Sequence, residues 1–358
     1  MTTFQNTVYY GALQIPNDRF DAEVGRVGFN GCLRFSDAPG TTFPEKMGDI
    51  NALAGACIRS GINLSSGTWN CFRNGNDFFD GGSLASTASF VYAAYNNVTR
   101  KTVALYRGTG STGFTPVATP APGGVNSHVL IKAIGGTLYM AFATGMRISL
   151  MKFDEAGNLW TTLEVASDFN RRFAPLKDGR VIRLRGFEIG LLHKAGGADV
   201  AVFWQRQVGS TNFTTLRGAI CNSSLVCNFS TSLQPPNSSN NFMPSIASAI
   251  VNKPGAPTTY RHVISYWSDQ SQTNTIAMRF AVFDGVTFNA QWAGGENVSP
   301  CLIKPDYFGD YDASMVRGNQ LSAPRVSRLL TDSSGGACDS RDYRAFPHHV
   351  SELPLVTF

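Results

Sequence analysis

Charge is scarce in this sequence: Lys and Arg number 30 and Asp and Glu 25 in 358 residues, 15% in all, against about a quarter in an ordinary soluble domain. Helical proteins draw their surfaces largely from Glu and Lys, which favour helices, so that shortage argues against a helical chain. The net charge of +5 is spread along the sequence. Its densest spots are Arg171-Arg172 and the Arg183/Arg185 pair, neither of which forms a nucleic-acid-binding arm. No apolar run is long enough to span a bilayer. Residues 1–5 carry neither a basic n-region nor an apolar h-region, so a secreted form is expected to begin after a cleavage site. There is no C-x-x-C and no Cys/His ligand spacing, which excludes ordinary structural zinc. G-x-S-x-G, P-loop and dinucleotide fingerprints are also missing, which sets aside nucleophile-elbow hydrolases, NTPases and Rossmann enzymes.

Ser, Thr, Asn and 36 Gly stand where the charges would be, and 43% of the chain is hydrophobic, enough to bury a large core. Apolar residues seldom recur at helical spacing. Instead, short β-branched and aromatic runs bounded by Gly, Pro, Asn and Ser follow one another in a repeated order. Val91 to Tyr95 is followed by Thr102 to Arg107 and a Gly-rich turn into Phe114. Leu138 to Phe142 is followed by Arg147 to Phe153 and Gly157 to Trp160; Val200 to Trp204 by Phe213 to Ile220; Val263 to Trp267 by Ile276 to Phe283 and Gly285 to Phe288. A further strand, such as Phe242 to Val251, precedes each pair. Three or four strands every ~45–65 residues is the period of a propeller blade. Phe308 to Val316 and Leu329 to Asp332 reopen the unit near the C-terminus, and Gly31 to Phe43 reads as the end of a blade. The stretch 48–82 is the least regular, with Ala52 to Ile58 either a short helix or a strand. The expectation is an all-β chain, one β-propeller domain over 1–358, with about six blades of three- to four-stranded antiparallel sheets.

Seven cysteines leave at least one unpaired. Cys221 and Cys227 bracket a short turn and suit a hairpin-stapling disulfide; Cys57 with Cys71 and Cys301 with Cys338 are further plausible pairs. Seven N-x-[ST] sequons (Asn63, Asn97, Asn212, Asn222, Asn228, Asn237, Asn297) permit a eukaryotic secreted origin. Together these features point to a secreted or extracytoplasmic protein.

In blade pattern the chain resembles the sialidase-like propellers with bacterial neuraminidase repeats, whose outer hairpins carry Asp boxes of the form S-x-D-x-G-x-T-W. Ser36, Gly40 and Thr42 match that box, with Phe43 for Trp and Ala38 where Asp belongs; around residues 153–160 only Gly157 and Trp160 remain, with Glu155 as a near substitute. Gly309-Asp310-Tyr311 opening an inner strand is similar to many secreted propellers of this group. No Asp box is complete and no Phe-Arg-Ile-Pro segment is present, so the arginine triad and the Tyr/Glu pair of sialidases have no counterparts here.

In a propeller the first strand of each blade lines the central channel, so charged residues there are informative. Asp306, Asp310 and Asp312, interleaved with Tyr307 and Tyr311, could ligate Ca²⁺ through hard oxygens or supply a carboxylate acid/base to a sugar site. The structural alternative is that Asp310 caps backbone N–H groups and Asp306 is solvated. Asp310, Tyr311 and Asp312 are the candidate catalytic residues, and Asp306, Asp310 and Asp312 the candidate metal ligands. Arg183 and Arg185, two apart and on one face of a strand, could grip a carboxylate bidentately, with a structural ion pair as the alternative. Of five histidines, His128 and His193 lie near channel strands, and His128 joins Arg183 and Arg185 as a candidate ligand-binding residue. The recurrent aromatics Tyr95, Phe142, Trp204 and Trp267 read as packing between blades.

The function expected is glycan processing or glycan binding at the channel mouth, acidic sugars preferred. Glycoside hydrolase, polysaccharide lyase and non-catalytic lectin all stay open. The rivals are a structural or protein-interaction propeller, and an enzyme on a non-carbohydrate small molecule. No cofactor is required beyond an optional Ca²⁺, and neither nucleic acid nor a membrane span is expected.

Overall fold

The apolar runs Val91 to Tyr95, Leu138 to Phe142 and Val200 to Trp204 are buried at every position, which is why they read as nearly continuous apolar segments rather than alternating ones. The computed structural model describes residues 2–4, 7–14, 55–61, 69–72, 77, 79–109, 114–170, 186–194, 197–209, 214–230, 232–233, 241–251, 259–269, 276–283, 288–298, 311–312, 315–317, 320–322, 325–330, 343–348 and 353–354. Every named element among them is a strand. The fold is all-β, and its first five sheets are antiparallel blades of the β-propeller kind, each following the last along the chain.

The first sheet is β1 (Thr2–Phe4), β2 (Thr7–Gln14), β3 (Gly55–Gly61) and β4 (Trp69–Phe72); the second is β5 (Phe79–Ser86), β6 (Val91–Asn97), β7 (Thr102–Gly108) and β8 (Thr115–Val117). The third is β9 (Leu130–Ile134), β10 (Thr137–Thr144), β11 (Arg147–Asp154) and β12 (Leu159–Ala166). The fourth comprises β13 (Phe187–Lys194), β14 (Gly197–Gln207), β15 (Thr214–Cys221) and β16 (Cys227–Phe229), and the fifth β17 (Asn241–Val251), β18 (Thr259–Asp269), β19 (Ile276–Phe283) and β20 (Phe288–Val298). All five are four-stranded meanders with neighbours in chain order. Beyond them, β21 (Tyr311–Asp312) pairs with β24 (Arg325–Leu330) and β24 with β25 (Tyr343–His348), while β22 (Met315–Arg317), β23 (Gln320–Ser322) and β26 (Leu353–Pro354) form another three-stranded sheet.

The chain divides into two compact units, Met1–Glu164 and Val165–Phe358. In the first, β5 packs against β9, and the second and third sheets share a core in which Tyr92, Leu105, Leu138, Phe142 and Phe153 are buried. β6 is buried at every position, whereas the fourth strand β12 is exposed over most of its length. Burial thus falls from the second strand of a blade to its fourth. Thr144 pairs with Arg147, leaving Gly145 and Met146 as a two-residue turn, and Gly145 sits at φ +61, a conformation glycine adopts without strain. In the second unit, β17 packs against β13, β14 and β15, around Phe203, Leu216, Ile246, Ile264 and Phe283. Gly190 lets these sheets meet: a Cβ there would stand 2.5 Å from Ser248 Oγ and 2.7 Å from Ile246 Cγ2.

Of the two alternatives for residues 52–58, the described part, from Gly55, is strand β3. The N-terminal segment supplies β1 and β2, joined by β3 and β4 in one sheet after an interval of sequence, and the blade end expected at Gly31 to Phe43 lies outside the described residues. Phe308 to Val316 does not stand as one inner strand: β21 and β22 pair into different sheets. Cys221 and Cys227 form the expected disulfide between β15 and β16, and Cys57 lies directly opposite Cys71 in the β3–β4 ladder.

Candidate functional site

Of the residues singled out from the sequence, Arg183, Arg185, Asp306 and Asp310 lie outside the described residues. Tyr311 and Asp312 form β21, where they pair with Val326 and Arg325. His128 is half-buried just ahead of β9, and its carbonyl accepts the Ser127 hydroxyl at 2.9 Å. Among the described residues no group of three or more His, Cys, Asp and Glu is placed to hold a metal ion, and the proposed calcium set falls largely outside them. Tyr95, Phe142 and Trp204 are buried, as packing residues should be.

The structure adds a groove of about 640 Å³ in the first unit, between the fourth strands of the second and third sheets. Its walls include Arg107 at the end of β7, Thr115 on β8, Thr119 beyond it, Asn158 in the β11–β12 turn and Trp160 on β12. The volume is within the range of small-molecule sites. Trp160 is held by Phe153, whose ring lies 4.7 Å away and tilted by 30°. Asn158, at φ +51, takes the left-handed conformation that asparagine tolerates better than most residues.

Arg107 is positioned from two sides. Its guanidinium lies 4.7 Å over the Phe90 ring, and it hydrogen-bonds Tyr92, its direct cross-strand partner. Tyr92 in turn donates to Glu155 Oε1 at 2.7 Å, and the same oxygen accepts the Thr87 hydroxyl at 2.5 Å. Burial and the Glu155 carboxylate push the Tyr92 phenol up, opposed by Arg107, so it remains a neutral donor. Among the described residues no carboxylate makes an ion pair with Arg107. The groove therefore presents a half-buried cation on a rigid support, beside an aromatic face, an amide and two hydroxyls.

Several other arginines are neutralised. Asp168 accepts Trp204 Nε1 at 2.7 Å and lies 3.3 Å from Arg206 Nη1 and 3.5 Å from Arg217 Nη1. Arg217 also lies 5.9 Å from the Trp204 ring and 5.8 Å from that of Phe229. This is a structural ion-pair cluster. Arg100 is likewise held by Asp77, which also accepts the Asn97 amide at 2.8 Å, so the Asn97 sequon is occupied by structure.

One polar pair escaped the sequence reading. His262, 3% exposed, has its Nδ1 2.9 Å from Ser248 Oγ, its opposite number across β17–β18. Burial lowers its pKa to about 4, with the Asp199 charge pulling it up and the Lys194 charge pushing it down; Lys194 and Asp199 are themselves an ion pair. A buried neutral imidazole with a hydroxyl partner on the neighbouring strand is a packing element here. Only knowledge of the register could have linked residues 14 apart.

No protein-family model matches the chain, and no curated protein matches it. Similar solved structures include a thermostable family-43 glycoside hydrolase, at TM-score 0.38 and 8% identity, covering 78% of this chain and 96% of that one. The catalytic domain of a GH62 α-L-arabinofuranosidase from Coprinopsis cinerea gives TM-score 0.36 and 11% identity, covering 82% and 81%. A structure from a study of two prolyl endopeptidases gives 0.39 and 11%, covering 84% of this chain and 39% of that one. Glycan-processing enzymes and a peptidase thus stand side by side at these levels, and the functional reading rests on the groove's own chemistry.

Proposed function

We propose that this chain is an extracellular glycan-binding propeller, a single domain over 1–358 and a divergent relative of the sialidase-like group, that holds an acidic sugar in the groove between β8 and β12. The observation that carries this reading is Arg107, a cation without a carboxylate partner among the described residues, in one groove with the Trp160 ring. Sugar rings present C–H faces that stack on indole, hydroxyls that suit Asn158, Thr115 and Thr119, and, in uronic and sialic acids, a carboxylate for guanidinium. The groove is lined from outer strands, as a lectin-like site would be, and holds no paired carboxylates for hydrolysis. Glycan processing belongs to the other proposed site at the channel mouth, with Asp310, Tyr311 and Asp312 as catalytic candidates, Arg183, Arg185 and His128 as ligand contacts, and Asp306, Asp310 and Asp312 for Ca²⁺.

The test is calorimetric titration of the protein with glucuronate- and sialate-terminated oligosaccharides. Arg107→Gln is expected to weaken binding by about 10- to 100-fold, the range for a lost hydrogen bond to a charged group, and Trp160→Ala by about tenfold. Neutral oligosaccharides should be affected by Trp160→Ala alone. Binding that survives both substitutions would remove the groove from the account.

A further inference from the structure

Four side chains of the fifth sheet carry polar atoms with no hydrogen-bond partner: both amide atoms of Asn241, Tyr266 Oη, Ser268 Oγ and Arg279 Nε. Asn241, Tyr266 and Ser268 are 0% exposed. The register gathers all four on one face. Asn241 lies directly opposite Ser268, Tyr266 directly opposite Arg279, and Tyr266 and Ser268 are two apart on β18. They also share one end of the sheet: Asn241 is the first residue of β17, Ser268 the last but one of β18, and Arg279 the fourth of β19. Tyr266 roots the cluster in the core with Phe203 and Ile264. Arg279 is half-buried and brings the cluster toward solvent.

Several buried polar groups in the first unit are matched. Ser83 Oγ donates to Val129 O and accepts from Ile131 N, and the Ser127 hydroxyl accepts from Ala143 N. Buried polar atoms are partnered in the great majority of cases, and those left over call for a specific explanation. Among the described residues, five of the seven such atoms belong to these four side chains. The unmatched set offers four donors, namely Arg279 Nε–H, Asn241 Nδ2–H and the Tyr266 and Ser268 hydroxyls, with Asn241 Oδ1 as an acceptor. Arg279 adds a positive charge facing the Tyr266 phenol, and among the described residues no carboxylate pairs with it.

Convergent donors around a cation fit a carboxylate, and the neighbouring acceptor fits a hydroxyl. We propose that Asn241, Tyr266, Ser268 and Arg279 form a binding site for a small hydroxy-carboxylate. The site is distinct in residues and chemistry from the β8–β12 groove and does not rest on the glycan reading.

The experiment is calorimetric titration of the full chain with gluconate and lactate, with glycerol and acetate as partial mimics. Gluconate and lactate should bind, acetate more weakly, and glycerol not measurably. Arg279→Gln should weaken lactate binding by about 10- to 100-fold and Ser268→Ala by about tenfold. Trp160→Ala, in the other unit, should leave it unchanged. If Arg279→Gln fails to fold, Ser268→Ala and Asn241→Ser carry the comparison, each judged against its circular-dichroism spectrum. No binding to wild-type protein, equal binding of glycerol, or undiminished binding by the folded variants would each overturn the site and leave the cluster as a pocket of ordered water.

Discussion

His262 is a buried residue whose ionisation bears directly on stability. Its pKa in the fold is about 4, below the ordinary value near 6.5, so the fold favours the neutral ring. The resulting stabilisation is fully present above about pH 6.5 and is lost as pH falls toward 4, because the unfolded chain takes up a proton that the folded one refuses. The shift corresponds to roughly 3 kcal/mol across that window. Urea unfolding of wild type and His262→Gln at pH 7 and pH 4.5 checks this: the variant should lose markedly less stability on acidification. An identical loss in both proteins would mean that acid acts through other groups. Nothing about His262 in the sequence separates it from the other four histidines. Its burial and its Ser248 partner follow from strand register, which composition does not encode.

At the scale of the element, the inner strands were legible and the outer ones less so. β6 and β10 coincide closely with apolar runs, because strands covered on both faces leave little room for polar residues. β8 and β16 are three-residue outer strands with exposed, mixed composition, and they carry almost no signal. The N-terminal sheet was not legible because β2 and β3, hydrogen-bonded neighbours in space, are separated by residues 15–54, so no local pattern joins them. The β8–β12 groove was hidden for a related reason: Arg107, Thr115, Asn158 and Trp160 come from different elements, each with an ordinary local explanation. The Cys221–Cys227 hairpin, by contrast, was readable from spacing alone. It closes a turn in which Asn222 Oδ1 accepts the backbone N–H of Ser224 and of Val226, each at 3.0 Å. Because the loop is short, replacing both cysteines by serine should cost only roughly 2 kcal/mol. The change should be visible as a lower urea midpoint with an unchanged slope. No shift in midpoint would mean that the turn is held by its hydrogen bonds alone.

For the molecule as a whole, low charge, abundant Gly and a repeated strand order were enough to reach an all-β fold of propeller-type blades, because the second strands β6, β10 and β14 are buried in much the same way. Function was less legible. The charged positions chosen from the sequence were those expected on inner strands, whereas Arg107 lies on the third strand β7, where an arginine is unremarkable until its lack of an ion-pair partner among the described residues is seen. The proposed glycan recognition rests on chemistry gathered at one place: indole, amide, hydroxyl and guanidinium. The most direct test is a glycan array probed with the purified protein beside Trp160→Ala. The account predicts binding concentrated on uronic- and sialic-acid-containing glycans and strongly reduced in the variant; a blank array from folded protein, or a pattern that Trp160→Ala leaves intact, would contradict it.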